Sequence, residues 1–340
     1  MNSKKFEAHK CVGGQFSPEM ELPKLRWIKK NLPHRWSKVA YAFDLVDFLT
    51  FKCTGETTRS SCTLVCKWGW IPSGNGSEGD WEEALIEWSE LTELRDIARG
   101  TVLFPGTAAG AGLNKSAAHA LSLPLATPVA IGLIDAHAGA LGILKTKSGS
   151  EAGNRMAIIA GTSCCHMLML RKSAEVVGVW GPYLHGLLPN RYLMEGGQSS
   201  AGSTLQWLTD FAKTTPEALE SEIGELSPAY EKSSLVIITD FHGNRSPLAN
   251  PKIKGSIHGL GLATRPKDVF VGILQGLAIG TRHISERIQN FSGETIEQLV
   301  ITGGLSKSGL YNQINANANQ IPVIIPDTEN TGSKIRHFYN

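Results

Sequence analysis

The sequence predicts an α/β protein of two domains. Three observations carry that prediction. The chain has 340 residues, and at about 100–200 residues per domain that length gives roughly two. Short apolar runs, Met156–Ala160, Gln298–Thr302 and Ile321–Ile325, alternate with segments of helical periodicity, the pattern of strands feeding helices. Two of those runs end in Gly-Thr-Ser or Thr-Gly-Gly, residues that turn a chain sharply and expose backbone N–H groups.

In chain order, Ser17 and Pro18 suit the start of a helix reaching Asn31, with Pro23 splitting it into a turn and a second start. Phe43–Thr50 reads as a short helix. Trp70–Asp80 is Gly-, Ser- and Pro-rich and reads as a loop. Asp80 and Glu83 then have capping-box spacing, and Trp81, Leu85, Trp88, Leu91 and Leu94 form the apolar stripe of the helix they would start. Phe104–Gly112 is loop-like. Pro128–Ile134 reads as a buried strand with Asp135 at its carboxyl end. Met156–Ala160 and His166–Leu170 flank Gly161-Thr162-Ser163 as a hairpin. Val269–Ile288 carries Phe270, Ile273, Leu277, Thr281, Ile284 and Ile288 on one helical face. Gln298–Thr302 is a strand, Gly303-Gly304 a turn, Ser308–Asn319 a helix and Ile321–Ile325 a strand. Asp327–Asn340 is polar and without period.

Composition removes several function classes. Hydrophobic residues make up 41% and charged residues 19%, which suits a globular chain. Lys plus Arg number 33 against 31 Asp plus Glu, so there is no electrostatic drive toward nucleic acid or an anionic membrane. No apolar run reaches the about 18 residues that span a bilayer. The start, MNSKKFEAHK, has basic residues with no apolar stretch behind them, unlike a secretory signal. Six scattered cysteines fit a reducing, cytoplasmic setting.

Five segments carry chemistry, each with a plain structural alternative. Gly303-Gly304 between strand and helix allows close approach to an anionic or flat ligand, or is only a tight turn. Gly161-Thr162-Ser163 offers N–H groups and two hydroxyls to a phosphate, or is a polar turn. It is not a Walker loop, since no Gly-Lys-Ser/Thr follows at the required spacing. Asp135 is placed as a general base, or caps the next element. His137 is its partner, or a hydrogen-bonded core histidine. Glu195-Gly196-Gly197-Gln198-Ser199 would form a compact polar loop suited to a polyhydroxylated ligand, or is a solvated turn, and Asp240–Pro247 would form a binding loop, or is a solvent-exposed connection. Lys67 would pair with an anion or hydroxyl, or is solvated. Cys62, Cys66, Cys164, Cys165 and His166 do not follow a zinc spacing, and no metal site is assigned to them.

Taken in order, these segments resemble the FGGY carbohydrate kinases, and among them the ribulokinase-like branch. The resemblance rests on Ser17-Pro18-Glu19-Met20, Cys66-Lys67-Trp68, Gly132–His137, Gly161–Ser163, Glu195–Ser199, Phe241–Pro247 and Thr302–Lys307, and runs from about Gly13 to Pro326. It implies an actin-like, ribonuclease H-like ATPase fold of two α/β domains around a cleft, 1–150 and 151–330 followed by a divergent tail, 331–340, with the N-terminal domain incomplete. The implied reaction is transfer of the ATP γ-phosphoryl group to a sugar hydroxyl, with D-ribulose the first expectation. Asp135 would be the catalytic base and Lys67 and Glu195 sugar contacts. Gly161, Thr162 and Ser163 would hold phosphate, and Gly303, Gly304 and Lys307 adenosine. ATP and Mg²⁺ are the expected cofactors. A sugar and ATP are the expected partners, with a homodimer among the expected assemblies.

The sequence also departs from the family pattern. No Asp-x-Gly-Thr hairpin, which holds the β- and γ-phosphates and positions Mg²⁺, precedes Gly13, nor is there a Trp-x-Asp-His/Arg segment. Ser308-Gly309 replaces a common Asn-Pro, and the chain diverges from Thr328. The chain is therefore expected to be cut at both ends. The alternative function is a homologue that binds sugar or nucleotide without phosphoryl transfer.

Overall fold

The computed structural model describes residues 4–73, 76–144, 154–223 and 235–326, and the backbone of 336–338. The expected tail, 331–340, lies outside the described residues apart from that backbone. The chain forms two compact units. Unit 1 comprises Met1–Ala138 and Leu170–Leu193, and unit 2 comprises Gly139–Met169 and Met194–Asn340. The resemblance implies a boundary near residue 150. The chain passes between the two compact units at 138/139, 169/170 and 193/194.

Unit 1 opens with a 3-10 turn, Glu7–Cys11, and continues through α1 (Glu21–Asn31), α2 (Pro33–Trp36), α3 (Leu45–Thr54), β1 (Thr58–Ser60) and α4 (Ser61–Lys67). Ser17–Met20 form a turn, with Met20 N donating to Ser17 O at 3.0 Å, and α1 starts at Glu21 with Pro23 in its first turn, where its missing N–H costs nothing, so the expected turn and second start are both present. Gly55 ends α3 in the left-handed conformation, φ 84°, a position that favours glycine. A hairpin of β2 (Ile71–Ser73) and β3 (Glu78–Asp80) follows, then α5 (Glu83–Ser89), α6 (Leu94–Ile97), β4 (Thr101–Leu103), α7 (Lys115–Leu121) and α8 (Asp135–Leu144), whose first turn belongs to unit 1. Strand β1 pairs with β4 in parallel.

Two expectations fail here. Trp70–Asp80 is a β2/β3 hairpin with Ile71 opposite Asp80, so Asp80 ends a strand and Glu82 is the N-cap of α5. The Asp80 carboxylate accepts from Trp81 N at 2.8 Å and from Arg95 Nε at 2.8 Å. Pro128–Ile134 forms no strand, only an isolated antiparallel bridge between Ala130 and Ala108. The opposing segment turns at Gly106, φ 86°, and Gly110, φ 52°, so the ladder cannot propagate.

The chain then crosses to unit 2 with β5 (Arg155–Ala160) and β6 (Cys164–Leu170). It returns to unit 1 for β7 (Trp180–Leu184) and re-enters unit 2 along β8 (Tyr192–Gln198). The rest of unit 2 is α9 (Gly202–Ala212), α10 (Pro216–Ile223), β9 (Val236–Ile238), β10 (Ser256–His258), α11 (Pro266–Ser292), β11 (Gln298–Thr302), a 3-10 turn (Gly304–Lys307), α12 (Gly309–Asn319), β12 (Val323–Ile325) and β13 (Arg336–Phe338).

Its main sheet has the strand order β13-β12-β11-β5-β6-β8. Strand β11 is parallel to both β5 and β12, while β5/β6 and β12/β13 are antiparallel. The expected hairpin around Gly161-Thr162-Ser163 is therefore present, with Ala160 opposite Cys164. Leu299, Val300 and Ile301 are buried together, as a strand enclosed on both faces requires. The 27-residue α11 buries the predicted stripe from Phe270 to Ile288. Helix α12 starts where the sequence indicated, with the Ser308 side chain capping Tyr311 N at 3.0 Å.

Candidate functional site

In unit 1 a buried polar network sets the position of α4. Asp47, 2% exposed, accepts from Ser60 N at 2.9 Å and from Thr63 Oγ1 at 2.8 Å. Trp68 Nε1 donates to Asp44. Arg59 is fully buried and donates to the carbonyls of Ala42 at 2.7 Å, Ile97 at 3.1 Å and Arg99 at 3.3 Å, with its guanidinium 4.0 Å from the Phe43 ring. Burial pushes the Asp44 and Asp47 carboxyls up to about 6, against the hydrogen bonds they accept. It also pulls Arg59 down to about 10. These residues are distant in sequence, so no local pattern announced them.

Lys67 ends α4, and its Nζ lies 4.7 Å from the Trp180 ring centroid. That cation–π contact aims an ammonium along an aromatic face. Asp135 is the first residue of α8 and is exposed. Its Oδ1 accepts from Ala136 N at 2.7 Å, so the carboxylate sits at the helix start rather than at a strand end. Two contacts tie the elements that carry Lys67 and Asp135. Ser60 Oγ donates to Gly132 O at 2.8 Å, and Cys62 Sγ lies 3.1 Å from His137 Nδ1.

In unit 2 the Gly161–Ser163 turn closes with Gly161 N donating to Ser163 O at 2.9 Å. The start of α9 docks on it: Ala201 N and Ser203 N donate to Thr162 O at 2.9 and 3.2 Å, and Gly202 N to Gly161 O at 3.0 Å. These bonds occupy the first N–H groups of α9, so an anion here would be drawn by the helix dipole and by the Thr162 and Ser163 hydroxyls. Gly303 has φ 97°, and a Cβ there would stand 2.5 Å from Ala160 O. The tight-turn reading of this glycine therefore holds: the turn demands positive φ, and the space a Cβ would need is taken by the Ala160 backbone. Gly304 and Lys307 are exposed in the following 3-10 turn. Beside it lies a cavity of about 220 Å³, walled by Leu205, Phe270, Leu274 and Leu305, with Gln206, Glu217, Glu220 and Lys307 as polar groups. Apolar walls with a few polar groups suit a flat heteroaromatic ligand.

Glu195 was expected in a loop. It lies in β8 and is 4% exposed. The two glycines after it serve packing: a Cβ on Gly196 would lie 2.4 Å from Ile284 Cγ2, and one on Gly197 2.7 Å from Arg245 Cδ. Gly197 thus admits Arg245, to which the sequence assigned no role.

The cysteines separate into two groups. His166 and Cys164 are in unit 2. His166 Nε2 lies 2.9 Å from Thr281 Oγ1, and burial pulls its pKa down to about 3. Burial pushes the Cys164 thiol up to about 12, which removes it as a nucleophile at neutral pH. Cys62 and Cys66 meet His137 instead.

Residues 156–333 match the FGGY family of carbohydrate kinases, C-terminal domain, just over half of the 340 residues. The chain belongs to the FGGY family of carbohydrate kinases. It is 38% identical to an FGGY carbohydrate kinase domain-containing protein of Xenopus laevis, over 96% of this chain and 64% of that protein. It is 33% identical to a D-ribulokinase of Saccharomyces cerevisiae, over 96% of this chain and 52% of that one. The chain thus spans less than two thirds of either relative. Xylulose kinase from Rhodospirillum rubrum superposes with a TM-score of 0.74 at 20% identity, over 94% of this chain and 62% of that one. The fold is the actin-like ATPase fold of these sugar kinases. Among the described residues no helix is long and apolar enough to cross a membrane.

Proposed function

We propose that this chain carries sugar- and nucleotide-facing residues of an ATP-dependent sugar kinase whose acceptor is a ketopentose, D-ribulose first. The observation that carries the reading is the exposed Asp135 carboxylate at the start of α8, held to the Lys67-bearing helix through Ser60 and Cys62. Asp135 accepts the proton of the attacking hydroxyl as its oxygen takes the γ-phosphoryl group. Lys67 donates to a sugar oxygen, and Glu195 accepts from a sugar hydroxyl. The Thr162 and Ser163 hydroxyls and N–H groups hold phosphate oxygens, in the turn that Gly161 closes. Gly303 and Gly304 let adenosine approach the backbone, and Lys307 stands at the rim. On this reading residues 1–150 serve the sugar and 151–330 the nucleotide, with Glu195 a sugar contact supplied from the second segment. The D-ribulokinase relative supports the choice of sugar.

ATP fits the chemistry of this unit, since an apolar-walled cavity with Lys307 at its edge lies beside the Gly304–Lys307 turn. Mg²⁺ is different. Among the described residues the one cluster of three metal-capable side chains is two thiols and an imidazole, whereas Mg²⁺ takes oxygen ligands. No step is therefore derived through a protein-held Mg²⁺.

The test is ADP release by the purified chain with D-ribulose, L-ribulose and D-xylulose. Turnover is expected with a ketopentose, and Asp135→Asn should lower kcat by about 10²–10⁴-fold at unchanged melting temperature. Wild-type turnover in Asp135→Asn refutes the role of Asp135. Calorimetric binding of sugar or ATP without ADP release makes the chain a binding protein of this fold.

A further inference from the structure

Three buried side chains outside the phosphoryl-transfer residues converge in unit 1. Cys62 and Cys66 lie one turn apart on α4, and His137 lies in the first turn of α8. All three are fully buried. Their ligand atoms all fall within 4.8 Å of one another, with Cys62 Sγ 3.1 Å from His137 Nδ1. The i, i+4 spacing puts both sulfurs on one helix face. Both backbones are anchored: Asp47 holds Ser60 N and Thr63 Oγ1, and Ser60 Oγ holds Gly132 O. Gly186 closes over the sulfur, where a Cβ would stand 3.0 Å from Cys66 Sγ.

We propose that Cys62, Cys66 and His137 form a binding site for a soft divalent cation of the Zn²⁺ class. At Zn–S of about 2.3 Å and Zn–N of about 2.0 Å, tetrahedral ligands stand roughly 3.3–3.8 Å apart. The 3.1 Å Cys62 Sγ–His137 Nδ1 pair must widen to that spacing, and all pairs lie within 4.8 Å. Charge selects the ion. Two thiolates, a neutral imidazole and a dication sum to zero, which a fully buried pocket requires. A monovalent soft ion leaves one negative charge there. Thiolate and imidazole donors disfavour Mg²⁺ and Ca²⁺. Three protein ligands leave one coordination position open. His137 also shares a helical turn with Asp135. An ion that widens the 3.1 Å Cys62 Sγ–His137 Nδ1 contact to coordination spacing shifts that turn, so occupancy is expected to slow phosphoryl transfer, a consequence that rests on the kinase reading.

The experiment uses Zn²⁺ and Cd²⁺ on the reduced full chain. Equilibrium dialysis with elemental analysis should find one ion per chain, and Cd²⁺ should raise the ultraviolet thiolate charge-transfer band. Cys62→Ser/Cys66→Ser should abolish both signals. His137→Gln should weaken binding at least about tenfold, and Cys164→Ser should retain it. Absence of a bound ion and of the band in the folded wild-type protein overturns the proposal whether or not the variants fold. So does a band that persists in the double variant. Stoichiometric binding with unchanged ADP release supports the site and overturns only its link to Asp135.

Discussion

Asp47→Asn tests the buried network that holds α4. The Asp47 carboxyl is moved from its ordinary 3.8 to about 6, with burial the main cause. By linkage, a move of that size is worth about 3 kcal/mol. The folded-state pKa is raised, so the folded protein binds more protons than the unfolded chain between pH of about 4 and 6. The contribution of protonated Asp47 is full below that window and is lost as pH rises through 6. An asparagine amide fits the same partners, accepting from Ser60 N and donating to a rotated Thr63 hydroxyl, and it does not ionise. Urea denaturation of both proteins at pH 4 and pH 7 should therefore show a stability difference that moves in favour of the variant by up to about 3 kcal/mol. Asp44, raised to about 6 by the same burial, keeps a residual slope in the variant. Parallel stability-versus-pH curves for the two proteins would refute the reasoning, because they would mean that Asp47 ionises alike in the folded and unfolded states.

Gly303→Ala places a Cβ 2.5 Å from Ala160 O at φ 97°. It should cost about 1–3 kcal/mol, read as a lower melting temperature together with weaker ATP binding in calorimetry. Lys67→Met keeps an unbranched side chain against Trp180 but removes the ammonium. It should raise the KM for the sugar about tenfold, a loss of about 1.4 kcal/mol, with the melting temperature within a degree or two of wild type.

What could be read beforehand followed how local each signal is. The β5/β6 hairpin, the α11 stripe and the Ser308 cap were legible because periodicity and turn chemistry act within a few residues. Asp80 misled because its capping-box spacing with Glu83 competes with strand pairing to Ile71, and the pairing prevails. The segment before Asp135 is apolar like a strand, but its partner contains two positive-φ glycines that only tertiary placement makes relevant. Glu195-Gly196-Gly197 looked like a loop because glycine is rare in strands. Here the glycines make room for Ile284 and Arg245, residues far along the chain. The meeting of Cys62 with His137 spans 75 positions, and spacing rules for metal sites do not reach that far.

The three passages between units bear on how the protein is made. Unit 1 is closed by its returning segment: Gly178 N donates to Gly13 O at 2.9 Å, Val12 bridges Gly181, and Ser61 Oγ donates to His185 O across 124 positions. During synthesis these partners wait, with the first 138 residues exposed, until the chain from 170 to 193 has emerged. Loops of that length close slowly, so the nascent first unit is the stage at which chaperones would matter most. A fragment cut at residue 150 would retain every helix of this unit and still lack the segment that shuts it, whereas a cut after Leu193 would keep it.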